Sequence, residues 1–288
     1  MTIREKGYHQ WEGQLNDKNV RWLPMFFYGI RLIFRKRFSK ALFTFCIIPF
    51  FFYLGTLWIS NKSELQMLKR MFPMISFGPD FFNSFFTHSF TFFMLLLLSV
   101  FFGSDLISND IQYKSFPLYF SRPLERKDYL IGKFSILLFY NLLFTLVPGI
   151  LLYIFNFIFA GDMSFNLVFV GGLLIVPVLT SLFIASVTLV ISSMSSNSRY
   201  VKIIMILFFF TSPAVAEILR DVFRNSYFEL LNFFGTIQQM GTFLLGGKPE
   251  FSFPAWISVL EVVLIILGSM LLLYRRIGKL EAQLESGN

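Results

Sequence analysis

The chain has 288 residues, of which 55% are hydrophobic and only 15% charged, with a formal net charge of +8. Soluble domains carry nearer a quarter charged residues, so this composition excludes an ordinary globular domain and points to membrane spans. The sequence pI of about 9.6 does not signal a nucleic-acid partner, because the basic residues stand at the ends of apolar segments and are not gathered on one polar face.

Residues 1–19 are polar and predict a cytosolic tail; with no apolar run there, a cleavable signal peptide is not expected. Over 20–38, Trp22, Phe26, Ile30, Ile33 and Phe34 recur at helical spacing while Arg31, Arg35 and Lys36 gather on the other side. That pattern predicts an amphipathic helix lying in the membrane interface, in contact with lipid.

A single transmembrane domain is predicted over 39–276, with six spans at about 41–60, 85–103, 134–159, 167–191, 201–217 and 255–274. The third span contains Pro148-Gly149, read as a kink. The fourth contains Gly171-Gly172, Pro177 and small residues that permit close helix approach. Between the fifth and sixth spans, VFRNSYFELLNFF and TIQQMGTFLL are each too short to cross, and with Gly235 between them they predict short re-entrant or surface helices. Residues 277–288 read as a second cytosolic tail. The fold class expected is therefore all-α integral membrane.

Six spans put both ends on one side. Nineteen of the 25 Lys/Arg fall in segments on the side of the N-terminus, nine of them in residues 1–40. By the positive-inside rule both termini and the 104–133 segment are expected in the cytoplasm of a cell-membrane protein.

Catalytic signatures are absent from the sequence. The nearest approach to a phosphate-binding loop, Gly241 to Lys248, has an extra Gly before the Lys and a Pro after it, and no strand precedes it. Cys46 is the only cysteine and reads as a packing residue. His9 and His88 have no metal-ligand spacing, and no metal site is predicted. Two ionisable residues fall within spans, His88 and Glu261, each in the half distant from the termini. A polar group at that depth needs a partner or a path, so both are candidates for a substrate route, with a structural hydrogen bond as the alternative.

Between the second and third spans runs GSDLISNDIQYKSFPLYFSRPLERKDYLIGK, Gly103 to Lys133. Ser104 reads as a helix N-cap, the helix extending to about Ser115, with Pro117 and Arg122-Pro123 as breakers. By composition this is an ordinary basic, aromatic loop. Its residue order is more specific: Asp110, then Lys114-Ser115-x-x-Leu118, then Ser121-Arg122-Pro123-Leu124-x-Arg126-x-x-Tyr129-Leu130-x-Gly132-Lys133. This order resembles the loop between the second and third spans of ABC-transporter permeases of the type-2 exporter class. There an acidic residue precedes Gly-Thr, Leu-Leu-Ser-x-Pro-Val-Ser-Arg and Tyr-x-x-Gly-Lys. Lys114-Ser115 stands where Gly-Thr is common, and Glu125 where Ser is common.

The resemblance implies a permease subunit working as a homodimer or as a heterodimer with a related chain, driven by two copies of a separate ABC ATPase. ATP and Mg would be bound by that partner, and no cofactor by this chain. It implies a cytosolic coupling helix in the hairpin, with Asp105, Asn109, Asp110, Tyr113, Lys114, Arg122, Pro123 and Arg126 at the ATPase contact. Asn197 and Arg199, in the joint before the fifth span, would form a smaller second contact. Export is expected, with a lean to lipid-like or amphipathic cargo from the apolar spans. The competing readings are a secondary transporter, which calls for two matching halves with broken helices at the midplane, and a membrane enzyme, which calls for a clustered acid, base or metal site.

Overall fold

The computed structural model describes residues 20–60, 79–120, 124–160, 167–247, 249 and 251–285, and its described residues are helical with no strand. In chain order the helices are α1 (Leu23–Arg35), α2 (Arg37–Cys46), α3 (Ile48–Ser60), α4 (Pro79–Thr87), α5 (Ser89–Gln112), α6 (Phe116–Phe120), α7 (Arg126–Ala160), α8 (Leu167–Met194), α9 (Ser198–Phe223), a 3-10 helix (Ser226–Leu231), α10 (Phe233–Leu245) and α11 (Trp256–Glu285). Six helical stretches are long and apolar enough to cross a membrane: Arg37–Ile59, Phe81–Gln112, Arg126–Phe159, Phe169–Met194, Ser198–Phe223 and Trp256–Ala282. The fold class is all-α with six candidate spans, as the hydropathy pattern predicts.

The bundle is organised around α5 and α8. In their apolar stretches 72% and 61% of residues are buried, against 33% or less in the other four. Lipid offers apolar side chains no less comfort than a protein core does, so close approach and dispersion must hold such helices together. Gly103 on α5 illustrates this. A Cβ there would lie 2.5 Å from Thr188 Cγ2 on α8 and 2.8 Å from Leu137 Cδ2 on α7. Its bareness is what lets three helices meet.

Several boundaries differ from the hydropathy reading, each for a local reason. The first span is two helices, with Ile47 out of α-helical register between α2 and α3. The second is also two, joined at His88. In the third span the helix is continuous through Pro148, in keeping with a kink and not a break, and in the fifth it runs on through Pro213. The fifth thus reaches Phe223, past the predicted end at 217. Gly235 does not separate two pieces: it lies in the first turn of α10, where Asn232 Oδ1 accepts from its N–H at 3.1 Å. Beyond the sixth span, where a tail is predicted, α11 continues helically to Glu285.

At one end of the bundle α10 is packed inside. Its residues Gly235, Thr236, Ile237, Gln239, Met240, Gly241, Thr242 and Leu245 are buried. A Cβ on Gly172 of α8 would collide with the backbone carbonyl of Leu244, so only glycine fits where α10 crosses α8. A satellite apolar cluster of Tyr53, Leu57, Phe81, Phe82, Phe85, Phe86, Leu152, Leu173, Val176 and Leu245 completes that end. The other end carries the basic residues and is taken up next.

Candidate functional site

The predicted Ser104–Ser115 helix is not a separate element. Helix α5 runs unbroken to Gln112, and Ser104 lies buried within it, not at its cap. The stop comes later, in a Schellman arrangement: Ser115 N–H donates to Asp110 O at 2.9 Å and Lys114 N–H to Ile111 O at 3.2 Å. That turn requires a left-handed residue, and Lys114 supplies it at φ 51°. Glycine is the residue such a position favours, which accounts physically for a Gly being common there in the resembling permeases. Pro117 does not end a helix; it sits in the first turn of the short α6, where its missing N–H costs nothing.

Helix α6 folds back beneath the start of α7. Phe116 and Phe120 stack with centroids 6.1 Å apart, and Tyr119 meets Tyr129 edge-on at 5.4 Å. Below the rings lies a buried ion pair: Lys133 Nζ to Asp110 Oδ2 at 2.6 Å, with Tyr129 Oη donating to the same carboxylate oxygen at 2.6 Å. Lys133 also sits 5.6 Å from the Tyr119 ring centroid and 5.5 Å from that of Tyr129. Burial, and then the Asp110 charge, push the Tyr119 phenol up to about 12. It therefore stays a neutral donor at physiological pH. Asp110 is 8% exposed, its carboxylate engaged by Lys133 and Tyr129 within the fold. A carboxylate with these partners serves as an internal stem.

Asp105 is the second anchor of the α5 end. Its carboxylate lies 3.4 Å from Lys36 Nζ, at the α1–α2 joint, and 3.6 Å from Lys202 Nζ, at the start of α9. A third tie comes from α11, whose Glu281 pairs with Arg126 of α7 and whose Arg276 Nε donates to Ser193 O of α8. Helix α1 lies along α7, with Tyr140 Oη donating to Ile30 O at 2.9 Å and Phe26 edge-on to Phe139.

Other side chains at this end reach solvent. Tyr113 is 72% exposed and Leu118 73%, with Lys114 exposed between them. In the α8–α9 joint, Met194, Arg199 and Tyr200 are exposed. Asn197 is exposed but acts locally, its Oδ1 accepting from Arg199 N–H at 3.0 Å to cap α9. Asn109 is half-buried. Arg122 and Pro123 lie outside the described residues. Lys36, Lys202, Ser192 and Glu281 escape a reading of the sequence, because their partners are 69 or more residues away along the chain and leave no local signature.

The two intramembrane candidates have separate structural partners. His88 is exposed and caps α5, with Nδ1 accepting from Phe90 N–H at 3.3 Å. Glu261 of α11 accepts from Thr236 Oγ1 of α10 at 3.3 Å. Among the described residues no group of three or more His, Cys, Asp or Glu is placed to hold a metal ion.

A search of curated proteins found no match. A family model described as ABC-2 family transporter protein matches residues 33–279, which takes in all six candidate spans but for a few terminal residues and the whole of the 104–133 hairpin. Members of that family are membrane permeases of ABC transporters that associate with an ABC ATPase subunit and bind no cofactor themselves. With most of its length matched, this chain belongs to the ABC-2 family of transporter proteins.

Proposed function

We propose that the chain is the membrane-spanning subunit of an ATP-driven exporter, and that its basic end is the cytosolic face on which two copies of the ATPase dock. Both termini then lie in the cytoplasm of a cell-membrane protein. Two permease chains, identical or related, form the pathway. The observation that carries this reading is the division at the basic end: Tyr113, Lys114 and Leu118 stand exposed on a turn fixed from below by the buried Asp110–Lys133 pair. A tip that presents an exposed tyrosine on an anchored stem suits a protein groove, since aromatic anchors such as Tyr dominate interface energetics.

Asp105, Asn109, Asp110 and Arg126 hold the tip in place, and Arg122 and Pro123 are expected at the same ATPase contact. Met194, Asn197, Arg199 and Tyr200 form the smaller second contact. The apolar character of the spans favours lipid-like or amphipathic cargo, and His88 and Glu261 border its route at the far end.

The test is co-purification of the full chain with its ATPase, together with ATP turnover by the complex in lipid nanodiscs. Tyr113→Ala with Lys114→Glu should weaken association about tenfold to a hundredfold. Undiminished association and turnover in that double variant would remove the basis of the reading.

A further inference from the structure

The hydroxyl of Ser192 has an unusual set of partners. Ser192 is fully buried near the end of α8, and its Oγ reaches across to the backbone of α5. It donates to Ser104 O at 2.9 Å and accepts from Ser108 N–H at 3.1 Å and Ile107 N–H at 3.3 Å. Ser104 O and Ser108 N–H are the two halves of one α-helical rung, i to i−4. Ser192 therefore touches both halves at once. A second hydroxyl joins it, as Ser108 Oγ donates to the same Ser104 O at 2.5 Å.

The valences close. A carbonyl oxygen has two lone pairs, and hydroxyl protons serve both. A hydroxyl has one proton and two lone pairs, and Ser192 engages all three. Each half of the rung thus has a substitute partner already in place. In a site this dry, opening an ordinary rung would orphan an N–H and a C=O. Opening this one orphans neither. Side chains inserted into the helical ladder, and serines bonded back to i−4, are among the recognised sources of helix bends. The neighbouring hydroxyls behave differently: Thr188 donates to Ile184 O and Ser193 to Val190 O, carbonyls of their own helix.

We infer that Ser192 makes the Ser104–Ser108 rung an openable joint in α5, so that the segment Asp105–Gln112 can bend away from the axis of the span. Beyond the joint stand Asp105 with its two lysines and the Asp110 stem. On the other side, Ser192 is two residues from the end of α8, where the exposed α8–α9 joint begins. Both proposed contacts thus converge on a single hydroxyl. In the coupling role, which rests on the function proposed above, Ser192 is a positioning residue. It lets the hairpin tip turn without leaving a buried backbone group unpaired.

The joint is tested with spin labels at Gln112→Cys, the exposed last residue of α5, and Phe243→Cys, exposed on α10, in the full chain in nanodiscs; the native Cys46 is buried and unreactive. The distance distribution should contain two populations. Ser192→Ala should deplete the bent one about tenfold, the effect of leaving one buried polar group unsatisfied, while Ser193→Ala leaves the ratio unchanged. If Ser192→Ala fails to assemble, Ser108→Ala, which removes only the second hydroxyl on Ser104 O, should deplete the bent population about threefold. A single distance in the parent chain, no change in Ser192→Ala, or equal changes in the Ser192 and Ser193 variants would overturn the joint. With the ATPase bound, Ser192→Ala should lower coupled transport by a similar factor at unchanged assembly. A bent population that responds to Ser192→Ala in a chain that recruits no ATPase keeps the joint and discards the coupling role.

Discussion

The two ends of the bundle solve one problem in opposite ways. Each places a short helix between long spans: α6 at the basic end, α10 at the other. Helix α10 is inserted among its neighbours with its polar groups satisfied. Gln239 alone donates to Phe253 O and accepts from Phe251 N–H, at 3.1 and 2.9 Å, and Asn232 caps the first turn. Helix α6 is held by a few rings and one buried ion pair, with its flanking turn left open. Where water is excluded, every backbone group must be paired within the protein, which imposes a complete and stiff insertion. Where water can reach, the chain can leave side chains exposed. Stiffness at one end and an open tip at the other suit a pathway wall and a docking face.

That comparison can be broken most sharply at the stem. Lys133→Ala leaves Asp110 buried without its cation, and the basic end should lose about 3–5 kcal/mol, read as a lowered thermal midpoint in detergent. Adding Asp110→Asn should restore part of the loss; a double variant no better than the single one would show that the pair is not what anchors the tip. At the far end, Gly172→Ala drives a methyl into the Leu244 carbonyl and should cost about 1–3 kcal/mol, by the same measurement. A neutral result there would mean that α10 is looser than its packing implies. Asn197→Ala removes the α9 cap and should cost about 1 kcal/mol. The last effect has the opposite sign. Lys114→Gly relieves a left-handed residue and should raise stability by about 1 kcal/mol while weakening partner association, separating the fold of the turn from its use.

The gross architecture is legible in the sequence because apolar length is a property of consecutive residues. Six spans follow from it, and the order of residues in the 104–133 hairpin points to the permease class that the family match over residues 33–279 supports. What the sequence conceals is tertiary. Ser104 reads as a helix cap because serine is a favoured N-cap residue, yet its carbonyl bonds Ser192, 88 residues away. Gly103 reads as the end of a span because polar residues follow it, whereas the helix runs on and its missing Cβ admits Thr188 and Leu137. Asp110 reads as an exposed acid, and only folding brings Lys133 and Tyr129 onto it. His88 reads as a buried ionisable group, because a hydropathy profile cannot see that the helix breaks there and that the imidazole caps the next one.

The start of α7 has a consequence for how the tip is sensed from a distance. Apolar sequence begins at Phe134, but the helix starts at Arg126. Those extra residues of helix amount to about 12 Å of rise. At physiological ionic strength the screening length is about 8 Å. Cations at the helix start thus stand more than one screening length clear of any layer of lipid headgroups that meets the apolar sequence. An approaching molecule would register the local field at the helix start with little contribution from the charge of the bilayer. Its encounter rate should therefore fall with added salt, yet barely change when zwitterionic lipid replaces anionic lipid around the same protein.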